Sequence, residues 1–114
     1  MTPAKILAYP SSQKRVLIRS YPLAWILATD KNPDIRNGKA ALKWAKVACE
    51  GEGAKNPDYL DTLAAAYAEA GRFDMAVKTA EKCLELARTS GDESFAGEVA
   101  SRLQTYQHRE AFVE

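Results

Sequence analysis

The fold is decided by residues 56–88, which read NPDYLDTLAAAYAEAGRFDMAVKTAEKCLELAR. In the first half of this stretch, apolar residues recur at positions 59/60, 63, 66/67 and 70, the spacing of a helix with one buried stripe. Asn56 is suited to cap the start of that helix, with Pro57 at its first position. Gly71 is suited to end it, because glycine readily adopts the left-handed conformation found after helices. The pattern therefore predicts an amphipathic helix that ends before Gly71.

A second helix is predicted directly after this glycine, from Phe73 to Ala87. Its apolar residues also fall on one side, and the run Thr89-Ser90-Gly91-Asp92 ends it. Two helices joined by so short a turn lie antiparallel, so the whole stretch predicts an αα-hairpin.

The same helix pair occurs twice in the chain. Residues 41–45 (ALKWA) match residues 76–80 (AVKTA) at an offset of 35, and three of these five positions are identical. Residues 23–28 (LAWILA) match residues 63–68 (LAAAYA) at an offset of 40. An enlarged turn at 30–34, rich in turn-forming residues, accounts for the difference. Duplication at such a period predicts stacked helical repeats.

The second copy resembles a tetratricopeptide repeat in three blocks of sequence: Leu60, Leu63, Ala64 and Tyr67; then Gly71-Arg72-Phe73-Asp74; then Ala76, Ala80 and Cys83-Leu84-Glu85-Leu86. It departs from the family pattern at Leu60, where tryptophan is commonest, at Ala64, where glycine is usual, and at Ala80, where a large aromatic is usual. The resemblance implies an all-α fold, a right-handed α-α superhelix with repeats at 22–50 and 56–88. In such a repeat, small residues at Ala64 and Ala76 let the two helices approach closely.

A C-terminal capping helix is predicted over residues 92–108, followed by a tail at 109–114. Its apolar stripe consists of Phe95, Val99, Leu103 and Tyr106, while Glu93, Glu98, Arg102 and Gln107 lie elsewhere on the helix. The last helix of a repeat stack needs an apolar face toward the preceding repeat and a polar face toward solvent, and this pattern provides both. Residues 1–21 predict an N-terminal arm or short helix that covers the first repeat; the alternative is an arm that docks onto another copy.

The sequence gives no catalytic constellation, so we expect no enzyme activity, no cofactor and no metal. His108 is the only histidine, which leaves little basis for a catalytic triad or a zinc site. Cys49 and Cys83 lie in Ala-rich helical runs and are interpreted as small buried hydrophobes, with a disulfide or metal pair as the alternative. Gly51-Glu52-Gly53 is not followed by the Gly-Lys-Ser/Thr of a phosphate-binding loop.

The family resemblance implies a groove lined by the first helix of each pair, which takes a peptide or a helix of another protein. By matching position, the partner-binding residues are Trp25, Ala28, Thr29, Asp58, Asp61, Ala65, Ala68 and Glu69. Such a surface is acidic with an alanine floor, so we expect a partner with a basic or helical segment rather than a bound C-terminal carboxylate. The expected function is a protein–protein interaction module or scaffold; the alternative is that the groove is vestigial.

The charge is balanced overall but divided along the chain. The formal net charge is +1, with +6 in residues 1–50 and −5 in residues 51–114. This balance disfavours a general nucleic-acid or membrane-surface binder, and the longest apolar stretch, 23–28, is too short to span a bilayer. We expect a cytoplasmic protein. Two alternatives stay open: a homo-oligomer assembled through the polarised ends, and RNA contact through Lys39, Lys43 and Lys46.

Overall fold

A computed structural model describes residues 22–114, and this part of the chain is helical, with no β-strand. The helices are α1 (22–29), α2 (Gly38–Ala48), α3 (Pro57–Glu69), α4 (Phe73–Thr89) and α5 (Glu93–Gln107), with a short 3-10 turn at Gly51–Lys55. The all-α prediction is confirmed for these residues. The arm or helix predicted for residues 1–21 lies outside the described residues.

The starts of α3 and α5 are capped by side chains, as the sequence predicts for α3. The Asn56 side-chain oxygen accepts a hydrogen bond from the Asp58 backbone N–H at 2.9 Å, and Pro57 occupies the first turn. The Asp92 carboxylate accepts from the Phe95 backbone N–H at 3.1 Å. Each cap satisfies a backbone donor that the helix itself leaves without a partner, which fixes where the helix begins.

Helices α3, α4 and α5 end in the same way, with a left-handed residue and paired backbone bonds. Gly71 and Gly91 have φ of 81° and 82°, and Arg109 has φ of 60°. After α5, the Arg109 N–H donates to the Tyr106 carbonyl at 2.9 Å, and the next N–H donates to Thr105 at 3.1 Å. This is the Schellman arrangement, formed at Arg109 without the glycine that usually permits it. It reverses the chain at the end of α5.

Small residues form the contacts between the helices. Ala64 and Ala76, predicted at the closest approach of α3 and α4, are both fully buried in one cluster. A second cluster joins α1, α2 and α3 and consists of alanines: Ala24, Ala28, Ala41, Ala45, Ala65 and Ala66. The positions matched by the sequence duplication, Ala24 with Ala64 and Ala41 with Ala76, are therefore buried alike. Because the side chain of alanine ends at Cβ, these residues allow a short distance between the axes of neighbouring helices.

The duplication is less exact on the outer side of α1. Leu23 matches Leu63 in sequence, yet Leu23 is 42% exposed whereas Leu63 is half-buried. Leu63 packs against all three apolar clusters because α3 lies between other helices. Sequence identity at the repeat positions thus predicts the inner contacts and not the outer ones.

Both cysteines are free and face the start of α3. The Cys83 thiol is buried and donates to the Pro57 carbonyl at 3.0 Å; the half-buried Cys49 thiol donates to the Tyr59 carbonyl at 3.5 Å. Burial raises the pKa of Cys83 to about 12 and that of Cys49 to about 11. Both thiols are therefore protonated at neutral pH and serve as weak donors within the packed interior.

Candidate functional site

Helices α1, α3 and α5 share one side of the molecule, here called the α1–α3–α5 face. The side chain of Arg102 on α5 connects them: its guanidinium bonds Asp61 on α3 and lies 5.5 Å from the ring centroid of Trp25 on α1. Each of these helices contributes at least one residue to the contact. The first helix of each predicted pair and the final helix therefore present a continuous surface.

The centre of this face is a buried ion pair. Arg102 Nε donates to one Asp61 carboxylate oxygen at 3.0 Å and a terminal nitrogen donates to the other at 2.8 Å. The two side chains are 11% and 9% exposed. The paired geometry matches the planar guanidinium to both carboxylate oxygens and holds the Arg102 side chain in a fixed direction.

Burial and pairing act on these two groups in opposite directions. Loss of hydration raises the pKa of Asp61, and the Arg102 charge opposes this rise. Burial acts to lower the pKa of Arg102, but the Asp61 carboxylate outweighs it and the net shift is upward. The net shift of the Asp61 pKa is upward, so the Arg102 charge compensates part of the hydration that the carboxylate has lost.

The Tyr106 hydroxyl lies in the same buried region of α5. It has no hydrogen-bond partner among the described residues, and burial raises its pKa well above the ordinary value. The ring is 1% exposed and belongs to the cluster that contains Ala64 and Ala76. Tyr106 thus contributes apolar area to the core at the cost of one unsatisfied polar atom.

Residues 110–114 lie across the α1–α3–α5 face instead of extending away from it. Ala111 and Phe112 pack against the cluster that contains Ala68 and Tyr106. The Phe112 ring meets the Trp25 ring at 5.9 Å between centroids and 42° between planes. The Arg102 guanidinium lies 5.2 Å from the centroid of the same phenylalanine ring. The tail is therefore bound to α1 by an aromatic contact with a cation beside both rings.

A backbone hydrogen bond completes the contact between the tail and α1. The N–H of Glu114 donates to the carbonyl of Thr29 at 2.8 Å. Thr29 is the last helical residue of α1, where carbonyls lack partners within the helix. Between these two anchors, Val113 is 42% exposed. Residues 110–114 therefore run from the end of α5 to the end of α1 without helical structure.

The structure places the predicted groove residues in different environments. Trp25, Thr29 and Asp61 come together at the tail and Arg102, as described above. Ala65 and Ala68 are 1% and 2% exposed and lie within the packed clusters of the helices.

The three predicted acids of the groove are not equally available. Asp61 is paired with Arg102, and Glu69 accepts a hydrogen bond from Arg36 Nε at 3.3 Å. Asp58 is exposed in the first turn of α3. The acidic character expected from the sequence is thus offset at two of the three positions by arginines of the same chain.

Two residues that define the face were missed by sequence reasoning. The helical position of Arg102 lies outside the apolar stripe of α5, which predicts a solvent-exposed side chain. The sequence assigns no contact to Phe112, which follows the last predicted helix. The apolar run at residues 111–113, in a chain end that is otherwise charged, is the sequence signal that could have indicated a docked segment.

No protein-family model, curated protein or solved structure matches this chain. Within residues 22–114, no helix combines the length and apolar character needed to cross a bilayer. The same residues contain no group of three or more His, Cys, Asp or Glu side chains placed to hold a metal ion.

Proposed function

We propose that this chain is a protein–protein interaction module of tetratricopeptide-repeat type that acts in the cytoplasm without catalysis. In this proposal its two hairpins and capping helix form a right-handed superhelix, and the α1–α3–α5 face takes a short segment of a partner protein. The observation that carries the proposal is that this face already holds residues 110–114 of the chain itself. A surface that packs one short segment has the shape and the donors and acceptors to pack another.

The contacts of the tail are of the kind that proteins use to recognise extended peptides. An aromatic side chain enters a site formed by Trp25 and Arg102, and the peptide backbone donates to a carbonyl of the module. An aromatic pair adds about 0.5–1.5 kcal/mol beyond area burial, and a partly desolvated cation–π contact adds about 1–2 kcal/mol. These terms suit a modest, reversible affinity for a short segment.

The chemistry of the face favours an extended apolar segment over the basic or helical one expected from the sequence. Asp61 and Glu69 are paired with arginines, so only Asp58 of the predicted acids is left to attract a cationic ligand. Apolar packing and the backbone bond to Thr29 do not depend on ligand charge. We therefore assign recognition to those two features.

Selection from a displayed library of random heptapeptides on the immobilised full chain tests this function. We expect enrichment of peptides with an aromatic residue, and loss of their binding in Trp25→Ala but not in Trp44→Ala. Trp44 is a matched control because it too is half-buried and has a cation, Lys43, 5.5 Å from its ring centroid. Enriched peptides that bind equally to both variants, or no enrichment at all, would refute the proposal. Thermal melts establish that both variants are folded.

RNA contact through α2 is a second candidate, and one observation favours it. Lys39, Lys43 and Lys46 are all exposed along α2. Clustered exposed cations can neutralise the phosphates of RNA. Binding of a labelled single-stranded RNA should then fall steeply with salt and disappear when the three lysines are replaced by glutamate.

Self-assembly is the other alternative, and exposed apolar residues on α1 favour it. Leu23 and Ile26 are 42% and 46% exposed. Light scattering coupled to size exclusion distinguishes this function from the first: assembly predicts a dimer that Leu23→Ser with Ile26→Ser disrupts, whereas a binding module predicts a monomer.

A further inference from the structure

We propose, on the basis of the function proposed above, that residues 110–114 are an internal occupant of the α1–α3–α5 face which a partner displaces. The partner is then a protein that carries an extended segment with a small residue followed by an aromatic residue. Its aromatic ring takes the position of Phe112, and its backbone bonds Thr29 in place of Glu114.

The aromatic preference follows from the site that Phe112 fills. Trp25 forms one wall, at 5.9 Å between ring centroids, and the Arg102 guanidinium forms another, at 5.2 Å from the ring centroid. The paired bonds to Asp61 hold that guanidinium in place without any contribution from the tail. The site is therefore preorganised on the helices, and a planar ring that replaces Phe112 finds the same two walls.

The rest of the segment pattern follows from the neighbours of Phe112. Ala111 packs against the buried cluster of α3, α4 and α5, where a small side chain fits. Val113 is 42% exposed, so its side chain contributes less to selection than that of Phe112. The next backbone N–H donates to Thr29, and this bond is independent of the side chain at that position. The face thus selects two successive side chains and one backbone group.

The tail is held in a way that permits its release. The chain reversal before the tail depends on Arg109, whose φ is 60°. Residues other than glycine seldom adopt this backbone conformation. The Arg109 side chain is 67% exposed and contacts Asp74 at 3.4 Å, an exposed ion pair that adds little. Because the tail is covalently attached, it occupies the face at high effective concentration and lowers the apparent affinity for any partner.

The first measurement is the affinity of a fluorescent peptide with the sequence of residues 109–114, REAFVE, for the full-length chain. Phe112→Ala should bind this peptide about tenfold more tightly than the unchanged chain, because its own tail no longer competes. Val113→Ala is the matched control and should bind like the unchanged chain. The peptide REAAVE should show no binding to any of them. Equal affinities of Phe112→Ala and the unchanged chain would overturn the proposal.

A second variant releases the tail without altering the phenylalanine. Proline at position 109 is restricted to φ near −65° and is incompatible with the observed 60°, so Arg109→Pro should also bind the peptide more tightly. If Phe112→Ala unfolds the chain, this variant still decides the matter. Failure of both folded variants to gain affinity would contradict the competition between tail and peptide.

The exposure of Trp25 separates tail release from peptide binding. In a Trp44→Phe background, acrylamide quenching reports on Trp25, and Phe112→Ala should increase the quenching constant about twofold. Increased quenching together with peptide binding supports both proposals. Increased quenching without peptide binding would show that the tail covers the face but that the face takes no partner segment, which overturns the proposed function and the ligand assignment. Unchanged quenching would show that the tail does not cover the face. This result would overturn the proposed displacement, and peptide binding would then support the proposed function only.

Discussion

Replacement of Asp61 by asparagine is expected to lower the free energy of unfolding by about 3 kcal/mol. The substitution keeps the volume of the side chain but removes the main charge that compensates Arg102, bonded at 2.8 and 3.0 Å; the exposed Glu98 carboxylate lies farther away, at 3.7 Å. Both side chains are about nine-tenths buried, so water does not replace the lost partner. Removal of one partner from a buried pair costs about 3–5 kcal/mol, and the remaining amide oxygen places this case at the lower end.

Asp74→Asn is the matched control for this measurement. Asp74 also pairs with an arginine, at 3.4 Å, but the two side chains are 88% and 67% exposed. An exposed pair of this kind contributes about 0–1 kcal/mol, so the control should lose less than about 1 kcal/mol. Urea unfolding followed by circular dichroism measures the free energy of unfolding of both variants. In thermal melts, the melting temperature of Asp61→Asn should lie about 10 °C below that of the unchanged chain. Equal losses in the two variants would refute the assignment of Asp61 and Arg102 as a structural pair.

The remaining predictions concern the core. Ala76→Leu should lose about 1–3 kcal/mol in urea unfolding because α3 and α4 have no space for the added carbons, whereas the exposed Lys78→Leu should change little. Tyr106→Phe should gain about 1 kcal/mol in the same assay, since it removes a buried hydroxyl without a partner among the described residues. Burial raises the pKa of the Cys49 and Cys83 thiols from 9.0 to about 11 and about 12, so the unfolded chain loses protons that the folded chain retains. Melting temperatures should therefore fall as pH rises above 9, and less steeply when both cysteines are replaced by alanine.

The helices and their boundaries were predicted well where local signals decide them. Asn56 and Pro57 start α3, and Gly71 ends it, because each acts through its own backbone geometry and nearest neighbours. The close packing at Ala64 and Ala76 was expected from the resemblance to the repeat family, and both residues are fully buried.

The centre of the candidate site could not be predicted from these local signals. The partner of Arg102 is Asp61, 41 positions earlier, and helical periodicity alone assigns a charged residue outside the apolar stripe to solvent. Phe112 lies beyond the last predicted helix, so no periodicity applies to it. Its contact with Trp25 depends on the reversal at Arg109, a non-glycine residue in a conformation that usually requires glycine. Long-range pairing and an unusual backbone angle both require the assembled fold.

The nuclear Overhauser effect between the ring protons of Phe112 and Trp25 tests the central claim most directly, namely that the α1–α3–α5 face holds residues 110–114. With the ring centroids 5.9 Å apart, several proton pairs fall within the range of the effect, and cross-peaks between the two rings are predicted. Phe112 resonances at random-coil positions without such cross-peaks, in a chain whose five helices are otherwise intact, would contradict it.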